Sequence, residues 1–177
     1  MSDFAFIHNM DTCLGCNACQ VACKDRNNLE SGQFFRHVMI VTVKGKQKFA
    51  SFSCGHCKNP ACMDSCPNGC YHKEEDGTVI HDDSKCIGCG KCVWACPYGE
   101  VSLDKKLGIA RKCDGCLDRR QQGLEPACVG ACLNNSLNWT EAKIRFPKSE
   151  LKDRIRDVLP DPNVTNTRFR VHLTEEG

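Results

Sequence analysis

The chain is short of most of what holds together and directs an ordinary globular domain. Its uninterrupted apolar runs, Val38 to Val41 among them, do not exceed five residues, against the ~20 residues a bilayer crossing needs, so no membrane-spanning helix is expected. Met1 to Met10 has neither the basic start nor the apolar stretch of an export leader, and no twin-arginine pair precedes the first cysteine. Aliphatic side chains are scarce as well. Hydrophobic residues make up 41% of the 177 positions, but that class includes 17 cysteines. Without them only roughly 31% of the chain is apolar. Packing of Leu, Ile, Val and Phe cannot by itself hold such a domain, and something bound by the cysteines must supply the missing interior. Catalytic signatures are missing too: there is no phosphate-cradling P-loop, dinucleotide fingerprint, His-Glu-x-x-His pair or G-x-S-x-G elbow.

What the chain has is cysteine, which in a short sequence means disulfides, zinc or iron–sulfur clusters. Disulfides suit exported chains with even counts, whereas this count is odd, no leader is evident, and cysteines two residues apart recur throughout. Zinc favours well-separated pairs, often with histidine admixed. The six histidines do not fall at ligand spacing; His56 sits inside a pair, between Cys54 and Cys57, but four cysteines already serve that group.

Spacing favours the third use. Cys13, Cys16, Cys19 and Cys23 form C-x2-C-x2-C-x3-C, and Cys86, Cys89, Cys92 and Cys96 repeat it, followed by Pro97. Cys54, Cys57, Cys62 and Cys66 widen the middle gap to four residues and precede Pro67; Cys113, Cys116, Cys128 and Cys132 stretch it to eleven. The first and third runs match the bacterial ferredoxin pattern, whose fourth cysteine ligates the cluster of the partner run. Three thiolates on one tight loop reach three corners of a small cubane, while the following helix carries the fourth away. Gly15, Gly55, Gly88, Gly90 and Gly115 inside these loops suit backbone that must bend sharply.

Four runs make two pairs. Residues 67–85 between the second and third contain the turn Glu74-Glu75-Asp76-Gly77 and the strand-like Thr78-Val79-Ile80. The expected fold is α+β, with two nested bacterial-ferredoxin-like modules, a β-hairpin insertion and a Cys-free C-terminal tail. The inner module spans 51–104 (runs two and three), the outer one 1–50 plus 105–140 (runs one and four), and the tail 141–177. The alternative pairs run one with two and three with four. Alternation over Phe34 to Val43, the turn Lys44-Gly45-Lys46 and the segment Lys48 to Phe52 predict the hairpin. Leu133 to Trp139 reads as a closing strand, and Glu150 to Leu159, capped by Ser149, as a helix. The tail either packs on the chain's own cluster modules or lies along a partner.

Taken together, the chain resembles the four-cluster ferredoxin-type electron-transfer subunits of molybdopterin oxidoreductases, such as the iron–sulfur subunits of dimethyl sulfoxide, polysulfide and thiosulfate reductases. The resemblance covers roughly residues 5 to 140. It is carried by Cys13-Leu-Gly-Cys16-Asn-Ala-Cys19-Gln-Val-Ala-Cys23-Lys24, Cys54-Gly-His-Cys57-Lys-Asn-Pro-Ala-Cys62, and Lys85-Cys86-Ile-Gly-Cys89-Gly-Lys-Cys92-Val-Trp-Ala-Cys96-Pro97-Tyr98-Gly99. Lys112-Cys113-Asp114-Gly115-Cys116, Asp118-Arg119 and Pro126-Ala127-Cys128 to Cys132 complete it. The family pattern implies four [4Fe–4S] clusters. Cluster A would be held by Cys13, Cys16, Cys19 and Cys132, and cluster B by Cys113, Cys116, Cys128 and Cys23. Cluster C would take Cys54, Cys57, Cys62 and Cys96, and cluster D Cys86, Cys89, Cys92 and Cys66. Two departures stand out: Leu133 follows the last cysteine where the family usually has proline, and Cys70 occupies a site commonly held by alanine. Cys70, the seventeenth thiol, reads either as a buried small residue or as an alternative ligand or redox-sensitive thiol.

With every ligand slot filled by cysteine, the resemblance implies an electron conduit with no active site on this chain. It would relay single electrons to or from a large molybdenum or tungsten pterin catalytic subunit in an anaerobic oxidoreductase, with a quinol-oxidising membrane anchor or a soluble donor as a further partner. The alternatives are a free polyferredoxin and a zinc-binding interaction module. The chain is expected in the cytoplasm, or outside it and membrane-associated if co-exported with a signal-bearing catalytic subunit. Loading four 2+ cores onto sixteen thiolates would carry the formal charge of +2 to about −6, which gives no support to nucleic-acid binding. Lys24, Lys91 and Lys112 adjoin ligands and would raise cluster potentials, or serve as plain surface cations. Trp94 and Tyr98 would shield a cluster from water, or act as ordinary core aromatics.

Overall fold

The computed structural model describes residues 4–43, 45–141, 161 and 163–172. Strand β1 (Phe4–Asn9) leads into the first cysteine loop and helix α1 (Ala18–Arg26). A hairpin follows, β2 (Arg36–Val43) and β3 (Lys46–Ser53), antiparallel in a register from Val43 opposite Lys46 to Arg36 opposite Ser53. The second loop and helix α2 (Ala61–Asp64) give way to the small hairpin β4 (Tyr71–Lys73) and β5 (Val79–His81). A 3-10 turn at Asp83–Lys85 enters the third loop and helix α3 (Lys91–Ala95), then the hairpin β6 (Val101–Asp104) and β7 (Ile109–Lys112). The fourth loop carries α4 (Leu117–Gln121) and α5 (Ala127–Gly130), and β8 (Leu137–Glu141) returns antiparallel to β1. Strand β9 (Arg170–His172) joins the other edge of β1 in parallel. The fold is α+β.

Four of these five helices are only four or five residues long, too short to persist without tertiary support. They are held by what they face: α1 lies against α5, and α2 against α3. Even α1 is built for ligand placement, with Cys19 and Cys23 buried one turn apart on one side and Lys24 and Arg26 in its last turn, where cations suit the helix dipole.

The interior has the composition its sequence imposes. One buried cluster combines Phe6, Leu29, Phe35 and Leu137 with Cys19, Cys23, Cys54, Cys113 and Cys128. A second combines Tyr71, Val79 and Val101 with Cys62, Cys70 and Cys92. A third, free of cysteine, packs Val41, Val43, Ala50 and Phe52 of the hairpin against Met10 and Val171. Hydrocarbon alone closes only the last of these.

The hairpin forms where the alternation placed it. The last strand of the cysteine region starts at Leu137, not Leu133, because Asn135 donates to the Cys132 carbonyl in a turn with Asn135 at φ 50°. The helix expected over Glu150 to Leu159 lies outside the described residues. The described part of the tail packs on the chain itself: Lys58 and Asn59 donate to the carbonyls of Asn166 and Thr165, and Arg168 donates to that of Gly55.

Candidate iron–sulfur sites

The four loops bend where side chains do not fit. Gly15 has φ 65° and lies so close to the Phe49 ring that a Cβ would overlap it. Gly88 has φ 68°, and a Cβ there would strike the Gly108 carbonyl. These are the two loops with the tightest cysteine spacing.

The fold brings cysteines from different runs together. Cys13, Cys16 and Cys19 line one cavity with Cys132, beside Leu14, Val38, Ser51 and Leu133. Cys23 lies among Cys128 and Cys116, and Cys113 beside Cys23 and Cys128. Cys62 has Cys54, Cys96 and Cys57 as charge neighbours. Cys86, Cys89 and Cys92 line a second cavity with Cys66, where Cys70, Tyr71 and His81 also contribute.

As free thiols these groups resist ionisation. Burial pushes the Cys23 and Cys62 thiols up to about 12, and crowding by neighbouring cysteines acts in the same direction. Cys113 is pushed well above the ordinary thiol value for the same two reasons. Buried, mutually repelling thiolates need a compensating polycation, which an iron–sulfur core is.

The surroundings supply donors to sulfur. The backbone N–H of Cys70 donates to Cys66 Sγ, that of Ala110 to Cys86 Sγ and that of Gly115 to Cys113 Sγ, each at 3.4 Å. Asn27 Nδ2 reaches Cys23 Sγ at 3.7 Å, and Thr165 Oγ1 donates to Cys57 Sγ at 3.1 Å. Such bonds favour the more negative state of a thiolate-held centre.

Arg36 gives the clearest test of fit. It is 1% exposed; its Nη1 donates to Ser51 Oγ at 3.0 Å and its Nη2 to Ser53 Oγ at 2.7 Å. The guanidinium stands over the Phe6 ring, 4.7 Å from the centroid. No carboxylate pairs with it among the described residues. Burial works against its charge, but the thiolates of Cys128, Cys113, Cys19 and Cys23 outweigh that and hold its pKa above the usual value. A buried cation without a counter-charge is costly, and thiolate-held clusters of net charge about −2 each would provide one.

The comparisons agree with this chemistry. A family model described as a 4Fe-4S dicluster domain matches residues 45–142, and a 4Fe-4S binding domain matches 10–26. One of the chains of the anaerobic dimethyl sulfoxide reductase of Escherichia coli K12 is 37% identical over 150 residues, covering 78% of this chain and 73% of the relative. The electron transfer subunit of thiosulfate reductase from Salmonella typhi is 37% identical over 160 residues, covering 85% and 80%. One of the subunits of tetrathionate reductase from Salmonella typhimurium is 34% identical over 183 residues, covering 97% and 73%. The chain belongs to the ferredoxin-type iron–sulfur subunits of molybdopterin oxidoreductases. It is an electron-transfer subunit that carries 4Fe-4S clusters and relays electrons for a catalytic subunit.

Within this subunit some expected roles change. Trp94 shields nothing and is no core residue: it is 90% exposed, because the five-residue helix α3 turns Cys92 inward and so leaves Trp94 on its outer side. Tyr98 is half-buried, with its hydroxyl 3.0 Å from Thr165 Oγ1. Lys112 is buried and donates to the carbonyls of Val79 and Cys113, Lys24 donates to those of Leu29 and Glu30, and Lys91 is exposed. His56 is buried, accepts from the Val79 N–H at 3.2 Å through Nδ1, and is held far below its ordinary pKa by burial and by Lys112, Arg168 and Arg120. Arg36, Thr165 and His81 were not singled out by sequence, which carries no local signal for any of them.

Among the described residues no helix is long and apolar enough to cross a membrane.

Proposed function

We propose that the subunit holds four [4Fe–4S] clusters in a row, in the order A, B, C, D. The ligand sets are Cys13, Cys16, Cys19 and Cys132 for A; Cys113, Cys116, Cys128 and Cys23 for B; Cys54, Cys57, Cys62 and Cys96 for C; and Cys86, Cys89, Cys92 and Cys66 for D. The nested arrangement, with A and B in the outer module and C and D in the inner one, is supported by α1 lying against α5 and α2 against α3.

The order follows from what lies between the groups. Arg36 has ligands of both A (Cys19) and B (Cys23, Cys113, Cys128) as neighbours. Cys113 of B has Cys54 of C beside it. Tyr71 adjoins Cys92 and Cys66 of D and Cys62 of C.

The observation that carries the reading is exposure at the two ends. Cys16 in A and Cys89 in D are exposed, while no ligand of B or C is. Beside the A end Leu14 and Leu133 are exposed, and beside the D end Ile87. A conduit needs contact at both ends and insulation in the middle, and apolar residues around each exposed ligand suit docking of other proteins. One end would meet a molybdenum or tungsten pterin catalytic subunit. The other would meet a quinol-oxidising membrane anchor or a soluble donor.

Affinity purification of the tagged chain from anaerobically grown cells, with metals and pterin assayed on the complex, tests this. The expected result is a large subunit carrying pterin and molybdenum or tungsten. A free monomer with full clusters and no partner would favour a diffusing polyferredoxin instead.

A further inference from the structure

The cavity assigned to cluster D holds more donor atoms than four-cysteine ligation uses. Besides Cys66, Cys86, Cys89 and Cys92, it is lined by Cys70 and His81. Cys70 is 2% exposed and packs between two of those ligands, with Cys66 and Cys86 as its thiol neighbours. The His81 side chain is 5% exposed. Its Nδ1 is hydrogen-bonded to Asp83 Oδ1 at 2.7 Å, and its Nε2 is buried with no hydrogen-bond partner among the described residues. A ring whose Nδ1–H donates to a carboxylate presents Nε2 as a bare lone pair, the arrangement that orients metal-ligating imidazoles. Cys70 Sγ, a ring nitrogen of His81 and Cys86 Sγ all lie within 4.8 Å of one another.

A small filler would explain Cys70 alone, but not an unpartnered imidazole nitrogen buried in the same cavity. Leaving a polar atom in that state costs free energy unless something binds it. Thiolate and imidazole are both good iron ligands.

We infer that Cys70 and His81 form a reserve ligand pair for the iron that Cys86 holds, so that this corner of the cluster keeps protein ligation when Cys86 is lost. The inference rests on the assignment of Cys66, Cys86, Cys89 and Cys92 to one cluster. In the exchange the iron–sulfur bond to Cys86 breaks and the departing thiolate takes up a proton; the new bond comes from Cys70 Sγ, whose thiol proton supplies it, or from the lone pair of His81 Nε2, in which case the proton comes from solvent. The oxidation states of the irons are unchanged.

The test compares full-length protein, purified anaerobically, as the parent, as Cys89→Ala, as Cys86→Ala and as Cys86→Ala with Cys70→Ala and His81→Ala. Iron per chain is measured alongside low-temperature paramagnetic resonance before reduction, which detects three-iron clusters. Cys89→Ala should lose about one to four irons, with or without a three-iron signal. Cys86→Ala should keep the parent's iron and show no such signal, and the triple variant should behave like Cys89→Ala. Equal losses in Cys86→Ala and Cys89→Ala overturn the inference, as does full retention in the triple variant. Full iron in Cys89→Ala would overturn the ligand assignment itself, and the inference with it.

Discussion

Thr165 Oγ1, near the C-terminus, donates a hydrogen bond of 3.1 Å to Cys57 Sγ, a hundred and eight positions earlier in the chain. Burial pushes the Cys57 thiol up, and the Thr165 bond pulls it back down. The same stretch is anchored by Lys58 and Asn59, which donate to the carbonyls of Asn166 and Thr165, so backbone pairing holds Thr165 beside Cys57. A segment without a single cysteine thereby acts on a cysteine centre.

If Cys57 is a cluster ligand, Thr165→Val removes a donor that favours the reduced, more negative state. A hydrogen bond to a charged group is worth about 1.5–3 kcal/mol, of which only part differs between redox states. At about 59 mV per tenfold change for one electron, one centre should fall in potential by on the order of 40 mV. Thr165→Ser should restore it. A redox titration followed by paramagnetic resonance reads this directly; unchanged potentials in Thr165→Val would remove Thr165 from the account.

Arg36 makes the larger electrostatic prediction. Replacing it with Met removes a buried positive charge next to ligands assigned to A and B. Coulomb's law with an effective dielectric near 20 makes this worth about 2 kcal/mol at roughly 7 Å. Two centres should therefore shift negative by on the order of 50–100 mV, while Arg36→Lys should stay near the parent. Shifts confined to a single centre would contradict the placement of Arg36 between two clusters.

The cluster-binding pattern was legible in the spacing of the runs, because a cubane fixes how close its ligands must be in sequence. The hairpin was legible as well, since Val38, Ile40 and their alternating partners report a half-buried strand directly. Arg36 was not: a lone arginine at a strand start looks like any edge cation until folding sets it beside cysteines from α1 and the fourth run. Thr165 escaped for the same reason, since it reaches Cys57 from a hundred and eight positions away, while His81 comes beside Cys70 through the small hairpin in which it pairs with Tyr71. Trp94 was misread because an aromatic beside ligands suggests shielding, whereas a helix of five residues must leave one side to solvent.

Glu100 predicts a pH dependence. Burial pushes its carboxyl up to about 8 and outweighs the opposing effect of Arg36. The folded subunit therefore holds a proton that the unfolded chain releases near pH 4.3. Its contribution is fully present below that value and is lost as pH rises through about 8. Glu100→Gln stays neutral throughout, so its melting temperature should gain on the parent's between pH 5 and pH 8. Parallel melting curves at the two pH values would show that the carboxyl is not held protonated.

An interior this short of aliphatic side chains is expected to need inorganic clusters to fill it. Iron and acid-labile sulfide, determined per chain on anaerobically purified material before and after chelation, with circular dichroism on both samples, test that most directly. About sixteen iron and sixteen sulfide per chain are expected, with loss of the folded signal when they are stripped. Material that contains zinc or no metal and still folds would contradict this expectation.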